Sequence, residues 1–180
     1  MFDVDELVAH LEMALEESEP RTAAKEVLAR AMARPGEVAA MLAPPAGGIS
    51  LLHNRPYLTV INVAWAPGMR LMPHDHRMWA LIGIYQGAED NQFYRRDEHE
   101  GLVPTTGKRL EDGDLTLLGA DTIHSVANPS SRLTGAIHVY GGDFVLQPRS
   151  QWGPGDLVER PYDLSEVERQ FHQANDAAGL

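Results

Sequence analysis

Short segments rich in β-branched and aromatic residues alternate with turn residues through the middle of the chain, and this pattern restricts the fold more than any other feature. Short strands with regular breaks predict a β-sandwich or β-barrel rather than alternating βαβ units. The segments are 58–65, 79–85, 91–95, 114–118, 123–127 and 133–140, and turn residues such as Pro67-Gly68, Gly87 and Gly141-Gly142 lie beside them.

Patterns typical of helices flank this β-rich region on both sides. Those before it are predicted at about 2–15, 21–34 and 37–42, and the one after it at 163–177. Ser165, with Glu168 three residues later, is predicted to cap the last helix through a capping box. We expect one mainly β domain with a helical segment at 1–45, a β-barrel at 50–149 and a C-terminal helix.

The composition argues against several classes of function. A formal net charge of −11 disfavours nucleic acid and anionic membranes as partners. No window approaches the roughly 18 apolar residues that would cross a bilayer, and the acidic N-terminus does not resemble a signal peptide. Without cysteine there are no disulfides and no thiolate ligands for a metal. We expect a cytoplasmic enzyme or binding protein, monomeric or homodimeric, that acts on a small molecule.

The sequence Pro73-His74-Asp75-His76 is the strongest candidate for a functional site. Alternate residues of a strand lie on the same face, so His74 and His76 would present two imidazoles to one side. Imidazole is the commonest protein ligand for a metal ion. Because His-x-His also occurs by chance on exposed strands, this pair alone does not distinguish a metal site from a solvated face.

The spacing of other residues around the two histidines favours the metal site. Gly68 precedes His74 by the interval found in the first sequence motif of cupins, and a second cupin motif is matched by Gly113, Gly119, His124 and Asn128, with Asp121 where Gly is usual. The chain therefore resembles the cupin superfamily. This resemblance implies a double-stranded β-helix barrel in which His74, His76 and His124 bind one metal ion.

One position departs from the usual cupin pattern and narrows the chemistry. Cupins usually have a Glu four or five residues after His-x-His, but Ala80 and Leu81 occupy those positions here. The remaining ligand set is three neutral imidazoles, which suits Fe(II) and also Zn, Ni or Cu. Such a site would favour an anionic ligand, and a coordinated thiol would lose its proton.

Two further stretches resemble a narrower group, the thiol dioxygenases, which include cysteine dioxygenase and bacterial 3-mercaptopropionate dioxygenase. The stretch from His74 to Gly87 is similar to the bacterial form of their first motif, and Ile137-His138-Val139-Tyr140 resembles their Ser-x-His-x-Tyr element. The resemblance covers about half of the chain, roughly 57–149. It implies an Fe(II) enzyme that oxidises a small thiol to its sulfinate with O2. It also implies that Tyr140 lies near the iron, that His138 supports Tyr140, and that Arg149 binds the substrate carboxylate.

Departures from that group leave other functions open. Ala136 replaces the serine of the Ser-x-His-x-Tyr element, and a Cys–Tyr crosslink cannot form. Three-histidine cupins also cleave diketones, oxidise flavonoids or isomerise sugars, and a non-catalytic metal-dependent binding domain is a further alternative. His138 and Tyr140 could form a purely structural hydrogen bond, and Arg149 could be a solvated loop residue. Glu89-Asp90 and Arg95-Arg96 are interpreted as a charged hairpin face.

Overall fold

The computed structural model of the protein describes residues 1–99 and 101–180. Within these ranges the helices are α1 (Val4–Ala14), α2 (Pro20–Met32), α3 (Pro35–Leu42) and α4 (Leu164–Ala178). The strands are β1 (Gly48–Arg55), β2 (Leu58–Trp65), β3 (Arg70–Asp75), β4 (Ala80–Gln86), β5 (Ala88–Asp97), β6 (Gly101–Glu111), β7 (Leu115–Leu118), β8 (Ile123–Ala127), β9 (Thr134–Tyr140), β10 (Ser150–Trp152) and β11 (Glu159–Pro161). The protein is mainly β, with helices before and after the strands, as predicted.

The strands form two antiparallel sheets that pack face to face. One sheet has the order β1-β2-β9-β4-β7, and the other has the order β11-β10-β3-β8-β5-β6. Buried side chains from both sheets form one apolar cluster between them, including Ile61 and Ile82 from the first sheet and Leu71 and Val126 from the second. This architecture is the double-stranded β-helix barrel that the sequence predicted.

The central strands of the five-stranded sheet, β2, β9 and β4, are buried on both faces. Every residue of β2 is buried, and its side chains alternate between two apolar clusters. Ile61 and Val63 face the barrel interior. Leu58 and Val60 face the opposite way, into a cluster that contains Leu11 and other residues of α1, α2 and α3. The N-terminal helices therefore cover the outer face of this sheet.

The second sheet extends further along the chain than the expected barrel end at residue 149. Gln151 of β10 pairs with His74 of β3, which joins the segment after residue 149 to the sheet. The prediction that Ser165 caps the last helix was wrong. Asp163 is the cap, and its carboxylate accepts a hydrogen bond from the backbone N–H of Ser165 at 2.9 Å. A helix that spans a bilayer would need more length and apolar character than any helix in the described ranges has.

Candidate metal centre

The three histidines of the predicted metal site converge between the two sheets. His74 and His124 are register partners on β3 and β8, and His76 follows the end of β3. All three side chains are buried, and their ligand nitrogens lie within 4.8 Å of one another. Nε2 of His76 is 3.0 Å from Nε2 of His124. Nitrogens bonded to one ion at about 2.0–2.1 Å have comparable separations of about 3 Å, so the arrangement fits a bound metal.

The hydrogen bonds of the His74 and His124 rings leave Nε2 of each ring free for a metal. Nδ1 of His74 lies 3.1 Å from the carbonyl oxygen of Met72, and a carbonyl can only accept, so Nδ1 carries the proton. Nδ1 of His124 likewise donates to Oδ1 of Asn91 at 2.8 Å. The amide of Asn91 is oriented by Glu89, whose carboxyl oxygen accepts from Nδ2 of Asn91 at 2.9 Å. Partners of this kind fix the tautomer of a metal ligand and leave Nε2 with its lone pair.

Burial also keeps the three imidazoles in the state that binds metal. Burial lowers the pKa of His74 to about 4, helped by the nearby charge of Arg149. It holds the pKa values of His76 and His124 well below their usual range, with their histidine neighbours adding to the effect. All three rings are therefore neutral at neutral pH, as coordination requires.

Replacing Asn91 by alanine is expected to weaken metal binding while leaving the three ligands in place. Loss of an outer partner of a histidine ligand typically costs about 10-fold to 100-fold in metal affinity. Titration with Zn(II) against a chromophoric chelator would measure the effect. Asn175→Ala is the matched control, because Asn175 bonds the backbone of Gly47 instead. Equal Zn(II) affinity in Asn91→Ala and the unaltered protein would show that Asn91 does not support the site.

His138 and Tyr140 lie beside the histidine group, on the inward side of β9. Nδ1 of His138 is 3.0 Å from the hydroxyl oxygen of Tyr140, and the Tyr140 ring centroid is 5.0 Å from that of His76. Burial raises the pKa of Tyr140 well above its ordinary value, so its phenol is protonated at neutral pH. His138 is not a member of the converging ligand group.

Arg149 is buried rather than solvated, with 8% of its surface exposed. Its guanidinium carbon lies 4.0 Å from the ring centroids of both Phe144 and Tyr162. Nη1 donates to the backbone carbonyl of Phe144 at 2.5 Å, whereas Nε and Nη2 form no well-directed hydrogen bond to a described residue. The Phe144 ring lies 6.2 Å from the His76 ring, and the Tyr162 ring lies 5.8 Å from the His74 ring. The Arg149 guanidinium is therefore held next to the histidine group, and its Nε and Nη2 groups are available to donate hydrogen bonds.

The interpretation of Glu89-Asp90 and Arg95-Arg96 as a charged hairpin face was wrong for Glu89. Its side chain is fully buried, and its carboxyl accepts hydrogen bonds from Trp65 Nε1 at 2.7 Å and from Asn91 Nδ2 at 2.9 Å. Burial raises the pKa of Glu89 to about 7. β5 begins at Ala88, three residues earlier than predicted, so Glu89 and Asn91 share its inward face. The period-2 alternation, extended backwards from Asn91, was the sequence signal that could have identified Glu89.

Asp75 points away from the histidine group and connects two segments of the chain that lie next to that group. Its carboxylate accepts a hydrogen bond from the backbone N–H of Ser150 at 2.8 Å and forms an ion pair with Nε of Arg77 at 2.6 Å. Arg77 adopts a left-handed backbone conformation, with φ of 55°. Asp75 thus connects the end of β3, which carries His74, to the start of β10.

Comparisons with known proteins find similar structures at low sequence identity and identify no family. No protein-family model matches the chain. A protein of Bacillus halodurans has a similar structure, with a TM-score of 0.50 and 15% identity over 58% of this chain and 77% of that one. A cupin superfamily protein of Desulfitobacterium hafniense is 16% identical over 59% of this chain and 88% of its own, with a TM-score of 0.47. An RmlC-like cupin family protein of Methanocaldococcus jannaschii, with a double-stranded β-helix fold, is 10% identical over 57% and 85%, also at 0.47.

At 15% identity the similarity to the Bacillus halodurans protein concerns the fold alone, and none of the solved structures named above is described as a thiol dioxygenase. The site is defined by the residues of this chain instead. The protein is a mainly β chain with the double-stranded β-helix fold, and its buried group of three histidines can hold a metal ion.

Proposed function

We propose that the protein is a mononuclear Fe(II) enzyme that oxidises a small thiol bearing a carboxylate to its sulfinate with O2. The reaction is R–SH + O2 → R–SO2⁻ + H⁺, in which both oxygen atoms go to the sulfur. The observation that carries the proposal is the buried guanidinium of Arg149, held beside the histidines with Nε and Nη2 left to donate. An anionic group is the partner that such a cation requires.

The ligand set supports the same choice. Among the described residues the converging group contains three histidines and no carboxylate, so a bound divalent metal keeps its full charge and favours an anionic thiolate. A bound Fe(II) ion would bind the thiol as a thiolate and activate O2 for reaction with it. His74, His76 and His124 would hold that ion through their imidazole nitrogens.

The other residues act on the substrate and on a proton. Nε and Nη2 of Arg149 would bind the substrate carboxylate through two parallel hydrogen bonds. These bonds would fix the position of the substrate sulfur. Phe144 packs on the Tyr140 ring, with centroids 4.4 Å apart, and helps to exclude water. Tyr140 holds a proton at its hydroxyl and His138 adjoins that hydroxyl at 3.0 Å, so the pair can supply a hydrogen bond to the reacting group.

An oxygen-uptake experiment tests the proposal directly. The protein would be loaded with Fe(II) under anaerobic conditions and supplied with cysteine, 3-mercaptopropionate or cysteamine, which lacks a carboxylate. We expect one O2 consumed per sulfinate formed, with the carboxylate-bearing thiols preferred. Fully loaded protein that produces no sulfinate would contradict the proposal, and oxygen uptake with a diketone or a flavonoid instead would establish one of the other cupin chemistries.

Replacing Arg149 by methionine is expected to weaken binding of carboxylate-bearing thiols specifically. Methionine keeps an apolar stem between Phe144 and Tyr162 but removes the charge. A hydrogen bond to a charged group contributes about 1.5–3 kcal/mol, which corresponds to a rise in KM of about 10-fold to 100-fold. KM for cysteamine should stay the same. Arg132→Met, in an exposed loop, is the control. An equal rise in KM for both thiol classes would place Arg149 outside the substrate site.

A further inference from the structure

Glu89 takes part in two series of polar contacts. One series leads to the ligand His124, and the other leads to Tyr140. On one side its Oε1 accepts from Asn91, which in turn accepts from His124. On the other side its Oε2 lies 4.0 Å from Nε2 of His138, and Nδ1 of His138 is 3.0 Å from the hydroxyl of Tyr140. The proposed function gives a role to Tyr140, at the end of the second series, and none to Glu89.

Nε2 of His138 is buried and makes no hydrogen bond to any described residue. Buried polar atoms without a partner are rare, and each one calls for an explanation. The separation of 4.0 Å from Glu89 is too long for a direct hydrogen bond. It is short enough for a buried carboxylate to favour an N–H over a lone pair at Nε2, because the low dielectric leaves the interaction weakly screened.

Among the described residues, the groups that surround Glu89 are neutral donors and titratable side chains of β9. The groups that bond to it are the neutral donors Trp65 of β2 and Asn91 of β5. The titratable groups that face it are His138 and Tyr140 of β9, and His74 acts on His138 from β3. In the part of the chain that the structure describes, Glu89 forms no ion pair with a lysine or arginine.

We propose that Glu89 is a positioning residue that selects the tautomer of His138 and thereby decides whether Tyr140 presents a proton or a lone pair to the metal site. When Glu89 is neutral, its O–H faces the lone pair of His138 Nε2. Nδ1–H of His138 then donates to the Tyr140 oxygen, and the Tyr140 O–H is free to point into the site. When Glu89 is ionised, Nε2–H faces the carboxylate and Tyr140 donates to Nδ1. The two arrangements differ by one proton, which leaves Glu89 for the solvent.

The change of arrangement should occur near neutral pH. Burial raises the pKa of Glu89 to about 7, so Glu89 is neutral below that pH and ionised above it. Burial lowers the pKa of His138 to about 3, so His138 stays neutral throughout and changes only its tautomer. The consequence for turnover rests on the proposed function: only the arrangement with a free Tyr140 O–H can donate a proton, so the rate should fall as pH rises through about 7.

The tautomer of His138 is measurable without any turnover. We would record ¹⁵N shifts of the imidazole by NMR in Zn(II)-loaded protein, from about pH 5 to about pH 9. The Nδ1–H tautomer should convert to Nε2–H with a midpoint near the pKa of Glu89, about 7. In Glu89→Gln the group that faces Nε2 cannot lose a proton, so the tautomer of His138 should stay the same at every pH. Glu111→Gln, which changes an exposed carboxylate on β6, should behave like the unaltered protein.

The turnover rate of the Fe(II)-loaded protein provides a second test of the same inference. The rate with a thiol substrate should fall about 10-fold for each pH unit above about 7, and this fall should be absent in Glu89→Gln. A His138 tautomer that stays constant with pH, or that changes identically in Glu89→Gln, would overturn the inference. If Glu89→Gln does not fold, the unaltered protein alone still tests the inference. A His138 tautomer that stays constant with pH in that protein would overturn it. A tautomer change that depends on Glu89, without any sulfinate formed, would keep the inference and discard the proposed function.

Discussion

Replacing any one of His74, His76 and His124 by alanine is expected to lower Zn(II) affinity by roughly 10² to 10³, and stoichiometric binding should be lost at micromolar protein. Structural zinc sites with four ligands have apparent binding free energies of about 10–16 kcal/mol, so one ligand corresponds to about 2.5–4 kcal/mol. The three rings are neutral and aimed at one point before any ion arrives, so each variant removes a donor that needed no rearrangement.

Metal analysis after dialysis, together with competition against a chelator, would measure this loss. Circular dichroism should show that the barrel remains folded, because its apolar clusters do not depend on the metal. His10→Ala, at an exposed position of α1, is one control. His138→Ala is the sharper one, since it also removes a buried imidazole yet should keep the ion and lose activity. An alanine variant at 74, 76 or 124 that binds Zn(II) as tightly as the unaltered protein would remove that histidine from the site.

Tyr140→Phe is expected to lower kcat by about 10² to 10⁴ and to change KM little, which is the usual range for one proton-donating side chain. Phenylalanine keeps the ring that packs against Phe144, so the change removes only the hydroxyl. Because burial holds the pKa of Tyr140 well above its ordinary value, the phenol does not ionise near neutral pH. The loss in rate should therefore be similar at every pH at which Glu89 is neutral.

Tyr85→Phe provides the matched control for this measurement. Tyr85 is also buried, and its hydroxyl donates to Asn62 Oδ1 at 2.8 Å, but it packs in the cluster of the N-terminal helices. Each variant should lose about 0.5–1.5 kcal/mol of stability with its hydrogen bond, whereas only Tyr140→Phe should lose turnover of a thiol. Equal rates in the two variants would assign the Tyr140 hydroxyl to stability alone.

Three strands, including β8 with His124 and β9 with His138 and Tyr140, were the most predictable part of the fold. β2 and β8 have the predicted bounds, and β9 begins only one residue later. β2 and β9 are buried on both faces, so their apolar pattern is continuous. β1, β3, β6, β10 and β11 were not among the predicted strands. Most of β6 is exposed and polar, so its pairing with β5 has little hydrophobic signal in its own sequence.

Glu89 could not be assigned from composition, for a physical reason. A carboxyl group next to Asp90 is expected at the surface, since burying a charge is costly unless it is neutralised or hydrogen-bonded. Its burial depends on donors from Trp65 and Asn91 and on a raised pKa, conditions that exist only after β2 and β5 come together. The convergence of His74, His76 and His124 was predictable because their spacing resembles known motifs. The packing of Arg149 between Phe144 and Tyr162 depends on residues that lie on both sides of it in the sequence.

The helical layer over the five-stranded sheet has a consequence for anyone who wishes to shorten this protein. Leu81, Ile137 and Val139 are fully buried, and they point away from the barrel interior toward α1, α2 and α3. A version that starts at β1 would keep every candidate ligand but would expose a flat, continuous apolar sheet surface. Surfaces of that kind promote self-association. Solubility, rather than metal affinity, would then be the first property to fail, so the N-terminal helices belong in any minimal version of the metal centre.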